Sequence, residues 1–259
     1  LPFGGLHLGP NRGIAHHLID IVDPGEGFSA ARFDRMASGV IGNLSGGKTA
    51  FVVGGTGLYV RALTGGIIEG PDEERGRRYR ETLEGESLEE LRGRLMERDP
   101  DAAARIHPRD RVRIVRALET AVLTGERISE KQRRHGFRDV RYEALKIGLY
   151  RDREEIRRRI DVRAAQMIES GLVGETERVL SMGYHEKLIP LRTLGYRYII
   201  RYLKGEIPLD EALRFMQRDT RRYARRQMTW FRGETGIEWF HPTETGPVKG
   251  RIASFLRIR

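Results

Sequence analysis

The run Ala50-Phe51-Val52-Val53 leads straight into Gly54-Gly55-Thr56 and then into residues with helical spacing through Leu63. A short apolar, partly β-branched run that stops at a glycine pair reads as a buried strand. A buried strand that feeds a helix through a glycine turn is the repeating unit of a parallel α/β sheet, and it admits few other folds. At such a turn the backbone N–H groups and the Thr56 hydroxyl face a ligand. The same residues also serve as a plain tight turn with Thr56 as a helix cap, and the sequence leaves both readings open.

The neighbouring segments fit that unit. Leu18, Ile19, Ile21 and Val22 suggest a strand stopped by Asp23-Pro24, and Ser29 is placed to cap a helix whose apolar residues fall at Phe33, Met36, Ala37, Val40, Ile41 and Leu44. From Glu69 to Arg141 strand signals vanish, and charged helical runs such as Ser87 to Arg98 and Asp110 to Leu123 take over. Tyr142 to Tyr150 restores an alternating pattern, and Asp152 opens a helix carrying Ile156, Ile160, Ala164, Met167 and Ile168 on its way to Gly171. Two further helices are expected near Arg192 to Lys204 and Asp210 to Arg232. The expected organisation is a partial α/β core over 1–68, a helical insertion domain over 69–141, and a core continuation with C-terminal basic helices over 142–259.

Gly42 to Thr49, GNLSGGKT, matches the phosphate-cradling pattern G-x-x-x-x-G-K-[ST]. That loop works only between a strand that delivers it and a helix that follows it. Here the periodicity predicts a helix before and a strand after, so the stretch reads as a glycine-rich helix-to-strand connection.

Composition narrows the chemistry. Across 259 residues there is no cysteine, which removes disulfides, cysteine-bearing zinc sites and thiol nucleophiles and fits a reducing cytoplasm. No apolar stretch approaches a membrane span and the first residues lack the order of a signal peptide, so the expectation is a cytoplasmic monomer that avoids membranes. Leu1, in place of Met, opens a glycine-rich start, and a truncated N-terminus is expected. The formal net charge of +10 favours a polyanion, nucleic acid first, although a charged fraction of 32 % also suits a densely salt-bridged surface.

The cations are not scattered evenly. Arg214, Arg218, Arg221, Arg222 and Arg225 share one side of the predicted helix from Asp210, and among them only Asp219 is acidic. A solvated face normally mixes signs, so this one points to phosphate contacts. A second cluster joins Arg133, Arg134 and His135 with Arg138 and Arg141. Arg113, Arg116, Arg159 and Arg163 lie beside apolar residues, where each needs an anion or a carboxylate. His16 and His17, next to Asp20 and Asp23, invite a metal, but adjacent residues of a strand point to opposite faces, and a structural role is the better reading.

Taken together, HHLID (His16 to Asp20), FSAARF (Phe28 to Phe33), VGGTGLY (Val53 to Tyr59), RIVRALE (Arg113 to Glu119), LGYR (Leu194 to Arg197) and RRYARRQMTWFR (Arg221 to Arg232) resemble the bacterial tRNA dimethylallyltransferases over about Gly13 to Phe240. The resemblance implies a P-loop NTPase-like parallel sheet core with an inserted helical domain, the N-terminal part of the core missing. It also implies transfer of a dimethylallyl group from dimethylallyl diphosphate to the exocyclic amine of an adenosine beside the tRNA anticodon, with Mg²⁺ on the diphosphate. By the same resemblance Thr56 lies near the reacting amine and Arg163 near the diphosphate. The segments Gln132, Arg133, Arg134, His135, Gly136 and Arg192, Thr193, Leu194, Gly195, Tyr196, Arg197 lie against tRNA, joined by Arg218, Arg221 and Arg225. The family's own P-loop and the aspartate that serves as general base precede HHLID, whereas Leu1 to Asn11 match neither. The expectation is therefore a segment of roughly 30 residues lost before Leu1 and a chain that binds tRNA without modifying it. Arg109 replaces a usual asparagine, and Tyr198 a usual acidic or amide residue. The alternatives are a non-catalytic RNA-binding remnant, a P-loop nucleotide kinase or NTPase, and an enzyme that prenylates free adenine nucleotides.

Overall fold

The computed structural model describes residues 14–44, 48–68, 70–136 and 140–257. The elements run α1 (Ala30–Gly42), α2 (Gly57–Gly65), α3 (Glu73–Thr82), α4 (Leu88–Arg98), α5 (Pro100–Arg105), α6 (Arg111–Thr124), α7 (Ile128–His135), β1 (Lys146–Leu149), α8 (Arg153–Glu169), α9 (Leu172–Ser181), α10 (Tyr196–Leu203), α11 (Leu209–Arg232), β2 (Ile237–Phe240) and α12 (Thr245–Arg257). It is a mixed α/β fold in which helices dominate. Among the described residues the sheet is one parallel pair, β1 with β2, in the register Lys146 opposite Ile237 through Leu149 opposite Phe240.

The helix starts follow from local chemistry. Ser29, Ser87 and Asp110 each accept a backbone N–H of the turn they open, and Ser87 with Glu90 forms a reciprocal capping box. The helix expected over Arg192 to Lys204 is interrupted instead: Pro190–Arg192 form a single 3₁₀ turn, and α10 starts only after Gly195.

The chain divides into two compact units, one of residues 1–32, 36–57 and 144–259, the other of 33–35 and 58–143. In the first, α10 packs on α9 and α11, and α8 packs on α11. Its core gathers Leu172, Val179, Leu191, Tyr196, Ile199, Ile200 and Met216. In the second, α4 packs on α5 and α6 around Leu83, Leu91, Leu95, Ile114 and Leu118. The buried Asp99 joins that unit's helices: Oδ1 accepts the Ala102 N–H at 3.0 Å at the start of α5, and Oδ2 accepts the Ser129 N–H at 2.9 Å in α7.

Two expected strands are absent. Leu18 to Val22 cannot be extended throughout, because Leu18 and Asp20 have φ of 61° and 54°. Ala50 to Val53 has no ladder partner among the described residues, and Phe51 and Val53 are 68 % and 92 % exposed. His16 therefore does not lie on a strand either; its Nδ1 lies 3.0 Å from the Ile14 carbonyl. No described helix is long and apolar enough to cross a membrane.

Candidate active-site turn and nucleic-acid interface

The glycine turn before α2 is shaped by α11. Gln227 Nε2 donates to the Gly55 carbonyl at 3.0 Å. A Cβ on Gly55 would lie 2.2 Å from Gln227 Nε2, and one on Gly57 would lie 2.0 Å from Trp230 Nε1. The Trp230 ring thus requires glycine at position 57, whereas at Gly55 the close atoms are the end of the flexible Gln227 side chain. Thr56, held between these two contacts, is exposed, as is Arg163 on α8, which makes no ion pair among the described residues. The motifs around Gly54 to Gly57 and Gln227 to Trp230 are 172 residues apart in the chain and in direct contact.

The arginines of α11 are less free than their spacing implied. Arg214 pairs with Asp210 at 2.8 Å, Arg221 donates through Nε to Asp161 at 2.9 Å, and Arg218 and Arg222 reach Asp219 at 2.9 and 3.2 Å. Only Arg225 of this set makes no ion pair among the described residues. Beside it, α8 and α11 enclose a groove of about 420 Å³. Arg151, Arg153, Arg157, Arg221, Arg225 and Arg232 line it, Glu154 is its single acid, and Ile156, Ile160, Ala224 and Met228 supply apolar walls. Arg151 is paired with Glu155 and Arg221 with Asp161, which leaves Arg153, Arg157, Arg225 and Arg232 against Glu154, a balance of charge that favours an anionic partner. Arg151, Arg153 and Arg157 are not distinguished by the sequence. Their signal is a pair at i and i+4 beside Ile156 and Ile160, which on α8 alone looks like an ordinary solvated edge.

A buried polar hub adjoins that face. Asp219 accepts from Arg197 and Tyr198 of α10 as well as from Arg218 and Arg222 of its own helix. The hydrogen bond from Arg218 lowers its pKa to about 2, with Tyr198 and the charge of Arg197 adding to the effect against the cost of burial. Tyr198, where the resemblance expected an acidic or amide side chain, is thus a hydroxyl donor to a carboxylate on the facing helix. In the segment assigned to tRNA, Arg192 is exposed and Thr193 Oγ1 donates to the Pro190 carbonyl at 2.6 Å, while Leu194 and Gly195 are half-buried. Tyr196 is 1 % exposed and donates to Glu175, so its side chain belongs to the core. Burial and that carboxylate push its phenol well above the ordinary value.

On α7 of the other unit, Gln132 accepts from Arg105 at 3.2 Å, Arg133 pairs with Asp101 at 3.2 Å, and Arg134 pairs with Glu126 at 2.8 Å. His135 is half-buried and Gly136 ends the helix with φ of 55°. Arg141, expected in this surface cluster, turns inward instead: its Nη2 donates to both oxygens of the buried Asp34, at 2.9 and 3.0 Å, and to the Ala62 carbonyl at 2.8 Å. Arg138 lies outside the described residues. The arginines beside apolar residues likewise find carboxylates, Arg113 with Asp110, Arg116 with Glu119 and Arg159 with Glu155. Of GNLSGGKT, Ser45 to Gly47 lie outside the described residues; α1 precedes it, as expected, and Lys48 and Thr49 are exposed.

Comparison with known proteins bears on what such a surface serves. A family model described as IPP transferase matches residues 9–234. The chain belongs to the IPP transferase family. It is 47 % identical over 247 residues to tRNA dimethylallyltransferase 1 of Citrifermentans bemidjiense, covering 94 % of this chain and 79 % of that one. With tRNA dimethylallyltransferase 2 of Geotalea uraniireducens it is 48 % identical, covering 94 % and 80 %. Among solved structures it resembles the full-length tRNA isopentenylpyrophosphate transferase of Bacillus halodurans, with a TM-score of 0.65 and 34 % identity over 95 % of this chain and 80 % of that one. A eukaryotic dimethylallyltransferase acting on tRNA matches with a TM-score of 0.73 and 25 % identity, over 90 % and 62 % of the two chains.

For an IPP transferase the expected metal is Mg²⁺. Among the described residues no group of three His, Cys, Asp or Glu could hold a metal ion. The groove side chains are cationic, so these residues do not fit a protein-held Mg²⁺, and the chemistry open to them is that of hydroxyl, backbone and guanidinium donors.

Proposed function

We propose that this chain serves the transfer of a dimethylallyl group from dimethylallyl diphosphate to the exocyclic amine of an adenosine next to the tRNA anticodon. The observation that carries the reading is the docking of the Gly54 to Gly57 turn on Gln227 and Trp230, at the end of the same helix that lines the arginine groove. An amine conjugated to a purine is a weak nucleophile, so transfer needs a proton acceptor and cations that stabilise the departing diphosphate. Thr56, presented at the turn, acts beside the reacting amine, and Arg163 takes negative charge of the diphosphate. The general base is assigned to no residue of this sequence. Arg192 to Arg197, Arg218, Arg221, Arg225 and Gln132 to Gly136 face tRNA, the buried Tyr196 by holding the loop in place. The adenosine leaves its stack to reach the turn, which is why cations and a recessed site belong together.

In the same reading β1 and β2 belong to a P-loop NTPase-like sheet core formed by 1–68 and 142–259, and 69–141 is a helical insertion. The parallel pairing of β1 and β2 supports this, since parallel neighbours require a crossover of the kind α8 to α11 provide.

The test is prenyl transfer by the protein isolated from its own cells. Incubated with tRNA and dimethylallyl diphosphate, it should add the mass of one dimethylallyl group to a single adenosine of the anticodon arm. tRNA that is bound and returned unmodified would leave an RNA-binding protein, and transfer to free adenine nucleotides but not to tRNA would leave the nucleotide-prenylating alternative.

A further inference from the structure

One carboxylate on α11 serves four donors from two helices. Arg197 and Tyr198 both donate to Asp219 Oδ2, and Arg218 Nε and Arg222 Nη1 donate to Oδ1 at 2.9 and 3.2 Å. The carboxylate itself is 12 % exposed, whereas the side chains of Arg197, Arg218 and Arg222 are 40, 46 and 55 % exposed. Each guanidinium has five N–H donors; Arg218 and Arg222 give Asp219 one each, and Arg197 gives one to Asp219 and one to the Tyr198 hydroxyl while its Nε is buried, so each keeps Nη donors for an outside partner. Their planes are set from below as well. Arg197 lies 4.5 Å over the Tyr198 ring, Arg218 lies 4.7 Å over the Phe215 ring, and those two rings pack 5.4 Å apart. Three cations held by one buried anion leave an outward-facing excess of positive charge whose geometry is already fixed.

We propose that Asp219 is a positioning residue for RNA: it holds Arg197, Arg218 and Arg222 as a preformed fan whose outer N–H edges take phosphodiester oxygens, and the Tyr198 hydroxyl fixes the carboxylate that holds them. Arginine side chains carry large rotamer entropy, and a fan ordered before binding does not lose it on meeting the RNA backbone. The inference rests on the tRNA reading given above and adds to it a residue that touches no RNA.

The competing account is that Asp219 only relieves repulsion among three neighbouring arginines. The two accounts give opposite signs for Asp219→Asn. If field strength is what matters, removing a negative charge tightens tRNA binding; if geometry matters, binding weakens although the protein becomes more positive. We expect the tRNA Kd of Asp219→Asn to rise about tenfold at physiological salt, and its salt slope to become shallower by about 0.7 to 0.9 for each phosphate that the fan no longer neutralises. KM for tRNA should rise while kcat changes by less than about twofold, as when binding shared by ground and transition states is weakened.

Tyr198→Phe keeps the ring on Phe215 and removes only the hydroxyl, so it should weaken binding in the same direction by about threefold. It decides the matter if Asp219→Asn does not fold. Equal or tighter tRNA binding by Asp219→Asn, or unchanged binding by Tyr198→Phe, would overturn the proposal. Failure of the unsubstituted protein to bind tRNA at all would instead remove the functional reading on which it stands.

Discussion

At Gly57 the backbone leaves no room for a side chain. A methyl group there would meet Trp230 at Nε1, Cδ1 and Cε2, at 2.0, 2.2 and 2.8 Å, atoms of a rigid ring rather than the end of a flexible chain. Gly57→Ala would normally favour a helix, but here we expect a loss of about 1 to 3 kcal/mol from overpacking, together with loss of prenyl transfer as the turn moves off α11. The chain has two tryptophans, Trp230 and Trp239, so the displacement should also appear as a change in tryptophan fluorescence; an unchanged spectrum and unfolding midpoint would show that the indole has space to retreat. Asp219 makes a pH prediction. Its pKa falls from the ordinary 3.8 to about 2 in the folded state. A depressed carboxylate stabilises the fold above the unfolded pKa and stops doing so as pH falls through the folded value. The contribution of about 2 kcal/mol is therefore complete above roughly pH 4 and lost by about pH 2. The stability difference between the unsubstituted protein and Asp219→Asn should shrink across that window, and a difference that stays constant from about pH 5 to about pH 2 would contradict the assignment.

Gly93 and Gly76 both lie inside helices, and the structure gives the two opposite expectations. Gly93 in α4 is exposed and a Cβ there would meet nothing within 4 Å, so Gly93→Ala should stabilise by about 0.5 to 1 kcal/mol. Gly76 in α3 is buried, and a Cβ there would lie 2.1 Å from Oε1 of Glu119, which is itself fully buried and held by Arg80 at 2.8 Å and Arg116 at 2.7 Å. Gly76→Ala should therefore destabilise despite its helix propensity, and thermal unfolding of the pair reads the sign directly. The same contrast explains what the sequence made legible. Helix starts at Ser29, Ser87 and Asp110 are readable because a cap acts within a single turn, on residues three positions away. The strand assignments for Leu18 to Val22 and Ala50 to Val53 fail because a strand is defined by a ladder partner that no short window contains. The glycine turn itself is readable as a candidate site, but its partners Gln227 and Trp230 are not, since nothing local ties residue 55 to residue 227. Arg141 misleads for a similar reason: spacing puts it in a basic cluster, and only the fold brings it to Asp34.

A chain with a formal net charge of +10 attracts any nucleic acid, so binding by itself does not locate an interface. Field and direct contact separate in the salt dependence. A cation outside the interface acts at long range and is screened within about 8 Å at physiological salt, whereas a cation that neutralises a phosphate releases a counterion and sets the slope of log Kd against log salt. Arg225 and Lys48 make a matched comparison. Arg225 lines the α8–α11 groove; Lys48 is exposed, lies outside that groove, and belongs to the GNLSGGKT stretch whose pattern suggested a phosphate loop. Substituting either by alanine removes one positive charge from the same total, so a pure field effect would treat them alike. We expect Arg225→Ala to weaken binding of all tRNAs and to flatten the slope by about 0.7 to 0.9, with stability changed by less than about 0.5 kcal/mol because it gives up no internal ion pair. Lys48→Ala should leave the slope intact and change prenyl transfer by less than about 0.5 kcal/mol, since a surface lysine supplies none of the several kcal/mol that a phosphate-cradling lysine contributes in a transition state. A hundredfold loss of transfer in a folded, tRNA-binding Lys48→Ala protein would place the phosphate loop at Gly42 to Thr49 after all, and an unchanged slope in Arg225→Ala would move the RNA off this groove.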